Sequence, residues 1–275
     1  MKKINFLFLL IILPSCISNI DSFTNCSFPK HSPFPGGIIN LEIFNLTFPK
    51  PNKDQLLCQE SLNSWRIIQP IPLSYNKNNL KLYIDEENFK EFKIINKVYR
   101  VSKIQINQQK FIHPSKKDNE RATIELALMN KAFTSYSNKR FFSDLSMQWP
   151  VEGIISSEFG VRRFINGNQR NPHLGTDIFA DIGTKIVAPL EGKVILVGNF
   201  FYRGNVIFID HGNGLISSYS HLSEILVKKG DFITKNELIG KVGKSGRVTG
   251  PHLHWQVTLK GIHIDPEIFL RKKNL

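Results

Sequence analysis

The chain has 275 residues and carries 36 Lys and Arg against 23 Asp and Glu, a formal net charge of +13. That length supports two modest domains, and no internal repeat or low-complexity tract is present. After the first residues no apolar run is long enough to cross a membrane as a helix, which excludes a chain of several membrane-spanning helices. The basic balance favours a polyanionic partner, whether nucleic acid, anionic lipid or carboxylate-bearing cell wall.

Met1-Lys2-Lys3 is a short basic start, and the apolar run 4–13 is interrupted only by Asn5. Residues 1–15 therefore read as an export signal, too short for a mature membrane span. Leu13-Pro14-Ser15-Cys16 resembles a bacterial lipobox, which would make Cys16 the lipidated first residue of the mature chain. Pro14 departs from the usual residue there, so simple cleavage stays open. Export argues against nucleic acid as the partner. Cys26 and Cys58 then remain, as a disulfide or as two buried thiols. A disulfide would close a loop of some thirty residues and stabilise by about 3 to 4 kcal/mol in the chain-entropy model.

Residues 36–108 have the pattern of a small β-sandwich: strands are expected at 38–43, 80–84, 92–95 and 99–106, separated by Pro49, Pro51, Asn78, Asn79, Asn96 and Lys97. Residues 109–143 read as a helical linker. Its helix is expected at 118–137, with Ile124, Leu126, Leu128, Met129 and Phe133 on overlapping apolar faces. Phe133, Phe141 and Phe142 need cover that a free linker would not supply, so they are expected to pack the first domain beside the cleft of the second. From 144 to 275 the chain is almost all strands and glycine turns.

The chemistry concentrates in this last part. His252-Leu253-His254 precedes Trp255, Val257 and Thr258, aromatic or β-branched residues that argue for a strand. On a strand, positions i and i+2 face one side, so two imidazoles project together. Upstream, Pro172 and Gly175 break any helix across His173-Leu174-Gly175-Thr176-Asp177, which reads as a loop entering a strand at 177–179. His173, Asp177 and one histidine of the later pair would make three protein ligands, the number a catalytic zinc takes while leaving one position open. His221 ends an alternating segment, 215–219, and offers another imidazole. No H-E-x-x-H helix is present, so the glutamate base of that class is not expected. His211 lies in a Gly-rich turn and reads as structural, and His263 as a local hydrogen-bonding residue. Gly243-Lys244-Ser245-Gly246 lacks the spacing of a phosphate loop. Asp181 and Glu158 read as solvated.

H-x-x-x-D, then His-Leu, then H-x-H, in this order and unaltered, resembles the M23 family of zinc metallopeptidases, the lysostaphin-type and LytM-type cell-wall endopeptidases. The resemblance runs from about Trp149 to Leu270 and includes Gly153, Gly160, Gly192, Gly230, Gly240 and Gly246. It implies a mainly β chain whose C-terminal domain, 144–275, is an antiparallel β barrel-sandwich. It also implies one Zn²⁺ held by His173, Asp177 and His254, with His221 and His252 as catalytic histidines. Two imidazoles and one carboxylate leave such a site a formal charge of about +1, enough to polarise a carbonyl and acidify water. Residues 36–108 are similar to the N-terminal β-domain of proteobacterial members. The implied activity is hydrolysis of peptidoglycan stem-peptide cross-links, as a D,D-endopeptidase of the Gram-negative periplasm, with Cys16 as the candidate anchor to the outer membrane. Members that have lost these residues are amidase activators, and a non-catalytic peptidoglycan-binding or amidase-activating module is the alternative.

Overall fold

The computed structural model describes residues 23–44, 49–50, 52–105 and 109–271. The export signal, the lipobox with Cys16, and Ile106 at the end of the fourth expected strand lie outside these residues. The architecture is mainly β and predominantly antiparallel. No helix among the described residues is long and apolar enough to cross a membrane.

In the first half, β1 (Ile38–Phe44), β2 (Leu56–Gln59) and β3 (Ser64–Pro70) form an antiparallel sheet in the order β1-β3-β2. Sequence reading missed β2 and the central β3. Trp65, Ile67 and Ile68 are aromatic or β-branched and all buried, a strand signal that the short polar ends concealed. A hairpin of β4 (Asn79–Tyr83) and β5 (Phe89–Lys93) packs on this sheet through Ile39, Ile43, Ile67, Ile71, Leu80 and Leu82. Asn79, expected in a turn, opens β4. β5 starts at Phe89 rather than 92, because its register pairs Phe89 with Tyr83.

The next strand, β6 (Val101–Ile104), leaves this assembly. It pairs in parallel with β8 (Arg162–Ile165), which pairs in turn with β9 (Asn168–Arg170). Two helices follow, α1 (Gln109–Ile112) and α2 (Lys116–Phe133). α2 starts earlier than expected because Ser115 caps it, its side chain accepting from the Asp118 amide, and ends at Thr134. Of the expected apolar residues only Phe133 is buried, with Met129 half-buried against the same cluster. Ile124, Leu126 and Leu128 are exposed, whereas Glu125, Ala132 and Phe133 are buried. Glu125 accepts hydrogen bonds from Arg121 Nε and the Phe201 amide, both at 2.6 Å.

The rest of the chain builds a ten-stranded antiparallel sheet. Its strands are β7 (Ile154–Ser157), β10 (Thr176–Phe179), β11 (Lys185–Val187), β12 (Gly192–Phe200), β13 (Gly204–Gly212), β14 (Leu215–Ile225), β15 (Phe232–Ile233), β16 (Leu238–Val242), β17 (Leu253–Leu259) and β18 (Ile262–Ile264). The main order is β15-β12-β13-β14-β17-β10-β7, with β16 on β14 and β11, and β18 on β17. The path does not close on itself among the described residues.

β13 explains the layering. Its alternate residues Ile207 and Ile209 enter the main core, while Val206 and Phe208 face the other way, under Phe133 of α2. Phe133 stacks edge-on against Phe208, Phe142 joins the main core, and Phe141 meets Phe232. Phe133 and Phe141 thus pack on the large sheet, whereas Phe142 enters a core that the large sheet shares with β1–β3. The main core also takes in Ile38, Leu56, Cys58 and Ile68 of the first half. Cys26 and Cys58 are disulfide-bonded and buried beside it.

Candidate metal centre

Register brings the centre together. Asp177 on β10 stands directly opposite His254 on β17, and Ser220 on β14 flanks His254 from the other side. The loop entering β10 must run close over β17. At Gly175 a Cβ would lie 2.4 Å from the Trp255 carbonyl oxygen and 3.0 Å from His254 Cε1, so only glycine fits. This places His173 beside the pair. Its backbone is pinned by its amide donating to the Val161 carbonyl at 2.9 Å and by its carbonyl accepting from the Gly160 amide at 2.7 Å.

Three potential ligand atoms result. His173 Nε2 lies 2.9 Å from Asp177 Oδ1 and 3.0 Å from His254 Nδ1, and His254 Nδ1 lies 2.6 Å from Asp177 Oδ1. All three residues are buried. Burial holds both imidazoles below their ordinary pKa, keeping them neutral, with the Asp177 charge opposing. Burial alone would raise the Asp177 carboxyl. The adjoining His254 and His173 outweigh it, and the group stays well below the carboxylate range. His173 Nδ1 donates to the Glu158 carbonyl at 2.9 Å, which leaves the Nε2 lone pair for the centre. Two neutral imidazoles and an ionised carboxylate crowding one point are the donor set that a divalent cation satisfies. His254 Nε2, on the far side of its ring, is buried without a partner among the described residues.

His221 and His252 stand alongside. Their ring centroids are 4.9 Å apart, and His252 Nε2 is 3.9 Å from Asp177 Oδ1. His221 has φ +69°, where β14 shifts register between β13 and β16, a conformation that costs a non-glycine residue about 1–3 kcal/mol and is found at functional sites. Its Nδ1 donates to the Ser245 carbonyl at 2.8 Å, and His252 Nδ1 donates to the Gly250 carbonyl at 3.0 Å. Both Nε2 atoms therefore carry a lone pair. Burial, reinforced by the neighbouring His252 ring, lowers His221 to about 3, so its imidazole is neutral at physiological pH.

The four histidines and one aspartate expected from the motifs are thus neighbours in space. Sequence reading missed Arg163, whose Nη2 donates to Asp177 Oδ2 at 2.9 Å, and the backbone carbonyls that set each tautomer. Nothing in one sequence marks a carbonyl for such a role. Glu158, read as merely solvated, pairs with Arg100 at 2.8 Å. His211 is buried between the Glu191 carbonyl and Ser217 Oγ, each at 2.7 Å. His263 stacks edge-on against Phe133.

The profile of peptidase family M23 matches residues 171–266, a span that holds all five of these residues. The crystal structure of a protein from Pseudomonas aeruginosa described as a peptidase M23 superposes with a TM-score of 0.68 at 33% identity, over 86% of this chain and 95% of that one. The chain belongs to peptidase family M23. Among curated M23 relatives, the peptidoglycan DD-endopeptidase ShyA of Vibrio cholerae is 44% identical over 117 residues, 42% of this chain and 27% of ShyA. The DD-carboxypeptidase/endopeptidase Mpg of Neisseria meningitidis is 37% identical over 112 residues, 41% of this chain and 26% of Mpg. The M23 chain described here thus spans about a quarter of the length of the curated relatives it matches.

Proposed function

We propose that the chain is a zinc metalloendopeptidase of the bacterial envelope that hydrolyses the peptide cross-links of peptidoglycan. The observation that carries this is the buried triangle of His173 Nε2, Asp177 Oδ1 and His254 Nδ1, flanked by two imidazoles with free Nε2 atoms. His173, Asp177 and His254 would hold Zn²⁺, which supplies Lewis acidity toward a carbonyl and toward water. His221 and His252 move the protons and meet the developing charge. A neutral Nε2 takes the proton of the attacking water, and the N–H of the resulting imidazolium meets the developing oxyanion before the proton passes to the leaving amine. Arg163 occupies the second Asp177 oxygen and so fixes which oxygen faces the two histidines.

The named activities of ShyA and Mpg support peptidoglycan as the substrate and D,D-endopeptidase cleavage as the reaction. A wall substrate agrees with the apolar leader and with export to a Gram-negative periplasm, with Cys16 as the candidate lipid anchor. In this reading residues 36–108 form an N-terminal β-domain, 109–143 a linker and 144–275 the catalytic domain. The test is incubation of the purified mature chain with cross-linked peptidoglycan and mass spectrometry of the muropeptides. Cross-linked dimers should fall and monomers rise, and chelation should abolish the change. A zinc-loaded chain that leaves the dimers intact would instead establish a non-catalytic, wall-binding or amidase-activating module.

A further inference from the structure

Two arginines, Arg203 and Arg247, sit on loops built as a single unit. The first joins β12 to β13 and the second follows β16. The Arg247 amide donates to the Tyr202 carbonyl at 3.0 Å, and the Asn205 amide donates to Ser245 Oγ at 3.0 Å. Gly246 has φ +78°, and a Cβ there would come within 2.5 Å of the Gly204 nitrogen, so the loops meet backbone to backbone. The Arg247 guanidinium lies over the Tyr202 ring, 4.5 Å from its centroid. The same unit grips His221, whose amide donates to the Arg203 carbonyl at 2.9 Å and whose Nδ1 donates to the Ser245 carbonyl. Both arginines therefore stand on the His221 side of the metal centre.

Their charge is not balanced. Arg163, Arg203 and Arg247 are all partly buried, and burial lowers each of them. Arg163 and Arg247 add to the effect at Arg203, Arg170 and Arg163 add to it at Arg247, and the Asp177 carboxylate that faces Arg203 is bound by Arg163. Among the described residues neither Arg203 nor Arg247 forms a salt bridge. Holding two such cations partly out of water costs free energy that an anion would offset. A guanidinium offers parallel N–H donors that match a carboxylate in two-point geometry.

We propose that Arg203 and Arg247 form a carboxylate-binding subsite beside the metal centre, which receives a free carboxylate of the peptide presented for cleavage. The substrate, though not the subsite, rests on the endopeptidase reading above. A peptide whose carboxylates are amidated loses this contact and is selected against. The subsite thus distinguishes anionic stem peptides from neutral ones of the same shape.

The test separates binding from turnover. The zinc-loaded mature chain is titrated by calorimetry with a stem tetrapeptide, which holds no cross-link to cleave, and with the same peptide fully amidated. The free acid should bind about tenfold or more tightly, the difference that about 1.4 kcal/mol produces. That preference should vanish in R203Q/R247Q. In R203K/R247K, which keeps the charge without the fork, it should survive in part, and this second variant also guards against misfolding. Equal binding of the two peptides by the wild type, or an undiminished preference in R203Q/R247Q, would overturn the subsite. Cleavage of cross-linked dimers is scored separately. An arginine-dependent preference without cleavage sinks the endopeptidase reading and leaves the subsite standing, and cleavage without preference does the reverse.

Discussion

The metal centre and helix α2 invert the usual rule of burial in opposite directions. His173, Asp177 and His254 are polar yet only 1%, 8% and 4% exposed, whereas Ile124, Leu126 and Leu128 of α2 are apolar yet 64%, 53% and 45% exposed. The two departures differ in cost. A surface leucine forgoes some burial energy, and scattered ones are ordinary. Burying an ionised carboxylate between two imidazoles is expensive unless a partner compensates it, so the first departure marks a site and the second does not.

The contrast is broken most directly at the centre. His254→Ala should reduce zinc from about one equivalent to near none by elemental analysis and take endopeptidase activity to background, because two protein ligands fall short of the three that catalytic zinc sites use. Retention of stoichiometric zinc in a variant lacking His173, Asp177 and His254 together would refute the ligand assignment. Next in size, His221→Ala and His252→Ala should keep zinc and lose on the order of 10²-fold or more in turnover, as groups that act on the transition state rather than hold the ion. A fully active variant would remove that histidine from the mechanism.

Stability effects are smaller and sharpen the comparison from the structural side. His211 is buried and His263 half-buried, and both are held neutral, each lowered by desolvation to about 4. Their unfolded value is near 6.5, so between those limits the unfolded chain binds more protons and stability rises with pH. Melting temperature should therefore fall as pH drops from about 6.5 to 4. Replacing His211 with glutamine should flatten part of that slope, and an unchanged slope would exclude its contribution. On α2, Glu125→Ala should cost about 1–3 kcal/mol by leaving the Phe201 amide and Arg121 without their acceptor. Ile124→Ala and Leu128→Ala should stay within about 0.5 kcal/mol by denaturant unfolding, and a larger loss would mean that this face is covered in solution.

The strand reading of His252-Leu253-His254 needed only local information. β-branched and aromatic neighbours set the period, and the period puts both imidazoles on one side. The loop reading at His173 rested equally on Pro172 and Gly175. Reading α2 held at Phe133 and failed at 124, 126 and 128, for a reason that also lies in its sequence. Apolar residues at 124, 126 and 128 do not share one face of a 3.6-residue helix, and which face is covered depends on what the helix meets. It meets the Phe200–Phe201 end of β12 and the outer face of β13, where a carboxylate is worth more as a partner for the Phe201 amide than another leucine.

By itself, the sequence determined the mainly β class, the family and the residue types of the centre, because strand propensity, glycine turns and short motifs are written within a few residues of one another. Only the tertiary structure decided that Asp177 faces His254 across β10 and β17, that β6 joins β8 instead of the first sheet, that Arg163 binds Asp177, and that the loops carrying Arg203 and Arg247 meet beside His221. These depend on strand register and on loops meeting backbone to backbone. Such pairings join residues far apart in the chain, and their energies are settled by competition among whole surfaces rather than by any local pattern.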